Sequence, residues 1–173
     1  MFSGVGTELL FHEYSNRWAV GASLSWARQR GYERNFDHLD YDVVTGFLSL
    51  YYATPFYDFD IAIHAGRYLA GDKGFTLEAK RSFDNGFEIG AFFTKTNVSA
   101  QDFGEGSFDK GLLFRIPFNS FSSRNVKGAF ITSLRSINRD GGRKLDDFAQ
   151  MLWNDRRGYR LDGLQRTKSR MVP

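Results

Sequence analysis

The sequence predicts an all-β protein, an antiparallel up-and-down meander of about eight strands with a short C-terminal helix. Three observations point to this fold. Apolar and polar residues alternate with a period of two over successive segments of about ten residues. Phe, Tyr and Trp make up 17% of the 173 residues, against 3 prolines, and this composition favours long uninterrupted strands. No apolar run reaches the roughly 18 residues of a transmembrane helix.

The first three predicted strands show the alternation most clearly. Between Trp18 and Ala27, large apolar side chains fall on one face, while Ala, Gly and Ser fall on the other. Residues 5–12 and 44–52 repeat this pattern. The link at 14–17 is polar and predicts a short turn between the first two strands.

Five further strands follow, separated by turn signals. Asp84-Asn85-Gly86 is the strongest hairpin signal, because left-handed backbone at a tight turn favours Asn-Gly. Residues 54–57 and 71–74 also predict turns, and a long loop is expected at 97–107. The strands themselves are predicted at 59–69, 75–83, 87–94, 111–118 and, more weakly, 126–135.

Residues 137–173 are predicted as a basic extension that follows a strand region of residues 1–136. A short helix is expected near 145–155. Its apolar face would carry Phe148, Met151 and Leu152, and Arg156 and Arg157 would close it. The net charge of +3 comes from this end of the chain. A solvated extension is the simplest interpretation, and contact with lipopolysaccharide phosphates or an acidic polymer is the alternative.

The composition of the two strand faces separates a membrane barrel from a soluble sheet. One row carries Phe, Leu, Ile and Trp almost without interruption, as lipid requires, and the other mixes small and charged residues, which suits a crowded wet lumen. Trp18 and Trp26 are on the order of 20 Å apart in height, close to the spacing of aromatic girdles. Arg67 and Arg81 fall on the apolar row near strand ends, where they can snorkel. We therefore expect all or part of a transmembrane outer-membrane β-barrel, with a soluble barrel or sandwich as the alternative.

The polar row supplies the candidate lumen-lining residues. These are Glu8, His12, Tyr51, Asp60, His64, Tyr68, Glu78, Lys80, Glu88 and Arg115. We expect Glu78, Lys80 and Glu88 to neutralise one another. Tyr51 and Tyr68 are candidates for contact with a hydrated sugar polymer.

The lengths of the links predict the direction of each strand. Outer-membrane barrels have short periplasmic turns and longer outer loops. The short links lie near 14–17, 54–57, 84–86 and 119–125, and the long ones at 29–40 and 97–107. The first and eighth strands would then both have their free ends at the outer face, whereas a single-chain barrel keeps its termini in the periplasm. We expect further strands before Val5, and allow for others after Ser136; the lack of a signal peptide agrees with a missing beginning.

Several segments resemble the YjbH-like bacterial outer-membrane proteins. The specific one is the long loop motif at 96–111; weaker ones lie at 68–72, 81–92, 115–118 and 139–142. The resemblance covers roughly residues 5–145. It implies a role in exopolysaccharide and capsule production, and it implies a C-terminal fragment of a longer exported lipoprotein with a large barrel. It carries no catalytic residues to transfer.

The long loop also holds the candidate motif of the chain. Its residues are Asp102, Phe103, Gly104, Glu105, Gly106, Ser107, Phe108 and Asp109. The three carboxylates are ligands of the kind that Ca²⁺ takes, but their spacing is not that of an EF-hand. We interpret the motif as a structural loop that Phe103 and Phe108 pin to the barrel.

No catalytic, cofactor or metal site is predicted. The chain has no cysteine, which excludes disulfides and thiolate metal sites. His12, His38 and His64 lack a ligand spacing, and no Gly-x-Ser-x-Gly elbow is present. No aromatic interleaving supports nucleic-acid binding by the basic residues.

We therefore expect a non-catalytic conduit or scaffold in the bacterial outer membrane that assists the secretion or assembly of exopolysaccharide or capsule. Its expected partners are outer-membrane lipid, the exopolysaccharide and other proteins of the exopolysaccharide operon. Two other classes stay open. One is a small structural barrel or adhesin, and the other, less favoured, is a barrel enzyme that modifies lipid or sugar.

Overall fold

Eight strands and one short helix follow one another along the chain. The computed structural model describes residues 2–31, 37–98, 108–118, 128–135, 141–145 and 151–157. The elements are β1 (Phe2–Phe11), β2 (Trp18–Arg30), β3 (His38–Ala53), β4 (Phe59–Arg67), β5 (Lys73–Ser82), β6 (Glu88–Thr96), β7 (Asp109–Pro117), β8 (Ala129–Arg135) and α1 (Met151–Arg157).

Each strand pairs antiparallel with the next, which confirms the predicted meander. The sheet has the order β1 to β8 and curves into a half-barrel. Among the described residues, β1 and β8 form its two edges and do not pair with each other. The longest pairing joins β2 and β3, from Trp18 opposite Tyr52 to Arg30 opposite His38. The described part of the chain includes no helix with the length and apolar character needed to cross a membrane.

The two faces of the sheet differ in what they expose. On the first, here called the apolar face, large hydrophobic side chains stand in the open: Leu9 is 70% exposed and Leu48 is 69% exposed. On the second, the inner face, Tyr51 and His64 are each 1% exposed. Hydrophobic side chains are therefore outside and many polar ones are buried, the reverse of a soluble half-buried sheet.

The hairpin between β5 and β6 departs in detail from its prediction. Gly86 has a φ of 83°, but Asn85 does not adopt positive φ. The Gly86 N–H donates to the Phe83 carbonyl at 2.8 Å, and Phe83 N–H donates to the Phe87 carbonyl at 2.9 Å. A turn followed by one left-handed residue closes a three-residue loop, so only the glycine needs that conformation.

The inner face is covered by residues 141–145 and 151–157, which we call the strap. Trp153 of α1 packs in a buried cluster with Tyr51 and with alanines of β2, β3 and β4. Leu145 packs against a second cluster of Ala27, Val43 and Leu69. The core of the described molecule thus lies between the sheet and the strap.

The face that α1 buries differs from the predicted one. Met151 is 55% exposed and Leu152 is 37% exposed, whereas Trp153 and Arg157 are buried. Phe148 lies outside the described residues. The prediction was wrong because it relied on hydrophobicity alone. The buried face of the helix carries Trp153, which stacks on Tyr51, and Arg157, which pairs with Asp60. The basic end at Arg156 and Arg157 is confirmed.

Candidate functional site

The candidate site is the inner face, where side chains of neighbouring strands stand in register. Ser49, His64, Thr76, Thr94 and Asp109 occupy consecutive paired positions on β3 to β7. Because directly opposite residues on one face of a sheet are close neighbours, these polar groups form one continuous row. All five are buried.

Hydrogen bonds join two pairs of residues within this row. Ser49 Oγ lies 2.7 Å from His64 Nδ1, and the hydroxyls of Thr76 and Thr94 are 2.8 Å apart. Buried polar groups persist only when they are paired in this way. His64 lies on the inner face as predicted, and its neighbours Ser49, Thr76 and Thr94 were not among the candidate lumen-lining residues.

Tyr68 lies beyond the end of β4 and closes the same network. Its hydroxyl is 2.6 Å from Thr76 Oγ1, and its ring packs edge-on against Phe47 at 4.9 Å between centroids. Burial raises the pKa of Tyr68 to about 12, which keeps the phenol protonated. Neither Tyr68 nor Tyr51 is accessible to a polymer in this arrangement.

A stack of rings crosses from the strap to the sheet. Trp153 lies nearly parallel to Tyr51, with 4.9 Å between centroids. His12 meets the edge of Trp153 at 6.0 Å, and His64 meets Tyr51 at 5.6 Å. The predicted residues His12, Tyr51 and His64 are thus brought together, through a tryptophan that the sequence analysis had not selected.

A buried ion pair joins the strap to β4. Arg157 Nε donates to both carboxylate oxygens of Asp60, at 2.8 Å each. The side chains of Arg157 and Asp60 are 10% and 4% exposed. Asp60 was a predicted inner-face residue, but Arg157 was expected in a solvated extension, and that expectation was wrong.

The charged residues of β5 and β6 form two groups where one was expected. Lys80 pairs with Glu88 at 3.5 Å, and Arg115 approaches the same carboxylate at 3.9 Å. Glu78 instead accepts from Lys144 of the strap at 2.8 Å. These strand residues share one face, as predicted, whereas the contribution of Lys144 was not predicted.

Glu8 binds α1, the helix of the strap. Its carboxylate accepts a hydrogen bond from the Leu152 N–H at 3.3 Å. Lys80 also reaches α1, because its ammonium donates to Asn154 Oδ1 at 3.3 Å. Glu8, Asp60, Glu78 and Lys80 therefore bind the strap through polar contacts, in addition to His12 and Tyr51, whose rings meet Trp153.

Two residues of the loop motif fall within the described chain. Phe108 packs against Phe93 at 4.8 Å, as expected for a residue that pins the loop to the sheet. Asp109 begins β7 and pairs with Arg135 at 2.6 Å. Asp102, Phe103, Gly104, Glu105, Gly106 and Ser107 lie outside the described residues.

The chemistry available on this face is hydrogen bonding and charge pairing. In the described part of the chain, no three His, Cys, Asp or Glu side chains are grouped as metal ligands. The residues missed by sequence reasoning, Lys144, Trp153 and Arg157, had one available signal. Their segment is basic, and the row predicted to line the lumen carries carboxylates that could pair with it.

Comparison with known proteins places these features in a family. The YjbH family model, described as exopolysaccharide biosynthesis protein YbjH, matches residues 1–154. The "Uncharacterized lipoprotein YjbH" of Escherichia coli strain K12 is 39% identical over 150 residues, which cover 84% of this chain and 21% of that relative. The chain thus spans about a fifth of the length of this relative. No solved structure is significantly similar to the chain.

Proposed function

The chain belongs to the YjbH family of exopolysaccharide biosynthesis proteins, and from this premise we propose that it forms part of an outer-membrane β-barrel. This barrel assists the secretion or assembly of exopolysaccharide or capsule. It acts as a conduit or scaffold and not as a catalyst.

The exposure of the apolar face is the observation that carries the proposal. Large hydrophobic side chains stand open on strands from β1 to β8, including Val5 at 68% and Leu134 at 62%. Removing apolar surface from water is favourable by about 25 cal/mol per Å². Exposure of such a face to water is therefore unfavourable. A sheet with this face outward and a polar face inward has the pattern of a barrel in lipid.

The ends of the apolar face support the same assignment. Trp18 begins β2 and Trp26 lies eight residues further along it, a separation similar to that between aromatic girdles. Near Trp26 the polarity of β3 reverses: Asp40 and Asp42 take the positions that Val44 and Leu48 occupy further along. The Trp26 indole N–H donates to Asp42 at 3.2 Å, a contact suited to the boundary between lipid and water.

The proposed partners follow from the two faces. The apolar face contacts outer-membrane lipid. The E. coli relative is named as a lipoprotein, which supports a membrane location. The inner face carries hydroxyls and carboxylates, which are groups that hydrogen-bond hydrated sugars. Other proteins of the exopolysaccharide operon would deliver the polymer to this barrel.

Membrane fractionation of the full-length protein that contains this chain tests the barrel. We expect it in the outer-membrane fraction, with a mobility on gels that differs between unboiled and boiled samples. A soluble protein whose mobility does not depend on heating would contradict the proposal.

Deletion of the gene tests the role in polymer production. Loss of the full-length protein should lower secreted exopolysaccharide, and expression from a plasmid should restore it. Unchanged polymer together with a folded barrel would favour a structural barrel or adhesin. A covalent change in lipid or sugar that depends on the protein would contradict the non-catalytic assignment.

A further inference from the structure

The strap follows the inner face from one end of the sheet to the other. At the end where β4 stops, the Leu69 N–H donates to the Arg143 carbonyl at 2.9 Å. At the opposite end, Arg157 reaches Asp60, the second residue of β4. A nine-residue strand is about 30 Å long, so the two described parts of the strap contact the inner face near the opposite ends of β4.

Two ion pairs help to hold the strap. Lys144 pairs with Glu78, and both side chains are 15% exposed; Arg157 pairs with the more deeply buried Asp60. The large apolar anchors in the described strap are Leu145 and Trp153. A segment held by ion pairs over a polar face can leave that face to water, because both the cations and the carboxylates can be hydrated.

We infer that the strap is an intramolecular plug, which closes the lumen when seated and opens it when displaced. This inference rests on the proposed barrel. In the seated arrangement, Trp153 covers Tyr51, and the row of Ser49, His64, Thr76 and Thr94 is buried. A hydrated polymer passes along this face only after the strap has left it.

Conductance of the full-length protein in planar lipid bilayers tests the plug. The variant Lys144→Ser/Arg157→Ser removes both cations and leaves every strand residue unchanged. We expect its open probability to rise at least several-fold over the wild type. Arg28→Ser is the matched control. Arg28 lies away from the strap and forms an exposed ion pair with Asp40 at a distance of 3.8 Å. This variant should conduct as the wild type does.

An engineered disulfide, here called the lock, provides a second variant. It holds the strap against the inner face until it is reduced. The hydrogen bond from the Leu69 N–H to the Arg143 carbonyl brings the two backbones into direct contact, and Cα atoms less than about 7 Å apart can be bridged by a disulfide. Leu69→Cys/Arg143→Cys should stay closed when oxidised and regain wild-type openings when reduced.

The outcomes separate this inference from the proposed function. If the heat-dependent gel shift and membrane insertion are absent even in the wild type, the proposed barrel is contradicted. If the proteins insert, but removal of the two cations leaves conductance unchanged and the oxidised lock conducts as the reduced one does, the plug is overturned.

Discussion

At the scale of single residues, the contact that best explains the buried inner face is the pair of Asp60 and Arg157. The alternation of β4 places Asp60 inward from sequence alone. Its partner is 97 residues away, and no local pattern connects positions at that distance. Arg157 can be identified as the partner of Asp60 only from the folded structure, because arginine side chains are usually solvated.

The first prediction concerns this pair. Asp60→Asn leaves the Arg157 guanidinium buried without its counter-charge, which typically costs about 3–5 kcal/mol. We expect a lower urea midpoint for unfolding of the full-length protein in lipid vesicles. The control Asp40→Asn removes a carboxylate that is fully exposed and should leave the midpoint unchanged. Equal midpoints for the two variants would contradict the buried pair.

The second prediction concerns a close approach between β3 and β4. A Cβ at Gly66 would collide with the backbone of Gly46 and come within 2.8 Å of Phe47 Cα. Gly66→Ala should therefore destabilise the sheet by about 1–3 kcal/mol, measured by the same urea unfolding. At Gly46 the nearest atom is the flexible end of Leu24, at 3.3 Å, so Gly46→Ala should cost clearly less. The reverse order would contradict the register of these strands.

At the scale of elements, sequence alternation predicts strands well where their polarity is constant. The centre of β3, residues 44–52, was predicted, but the strand begins at His38. From 39 to 43 the apolar residues fall on odd positions, and from 44 onward the exposed apolar residues fall on even ones. The alternation therefore changes phase near Val44, although the backbone on both sides of this point pairs with β2.

The position of α1 could not be predicted for a different reason. A seven-residue helix has too few turns to define an apolar stripe. Its orientation is set by the Tyr51 ring and the Asp60 carboxylate, which belong to distant strands. The inward row of the sheet was thus predictable, whereas the segment that covers it was not.

The third prediction concerns the apolar face of β3. If Leu48 faces the middle of the membrane, Leu48→Arg should cost roughly 2–4 kcal/mol. Asp40→Arg, on the same face but beyond the reversal of polarity, should cost roughly 0–1 kcal/mol. Unfolding of both full-length variants in lipid vesicles measures the difference. Similar small costs at the two sites would indicate that Leu48 faces water.

At the scale of the whole molecule, the described sheet is an open half-barrel with edges at β1 and β8. The link lengths predicted additional strands, and the chain spans about a fifth of its E. coli relative. Edge strands present unpaired backbone groups, which lipid cannot satisfy. In a membrane, the unpaired backbone groups at the edges of β1 and β8 would therefore need hydrogen-bond partners.

The lipid-facing apolar face is the central claim, and spin-label scanning of β3 tests it most directly. Single labels at residues 44–52 of the full-length protein in lipid report collisions with oxygen, which partitions into membranes, and with a water-soluble nickel complex. The account predicts a period of two, with oxygen exposure highest at Val44, Leu48, Leu50 and Tyr52, and low nickel exposure at the same positions. Nickel exposure at these four positions as high as at the turn residue Tyr57 would contradict it.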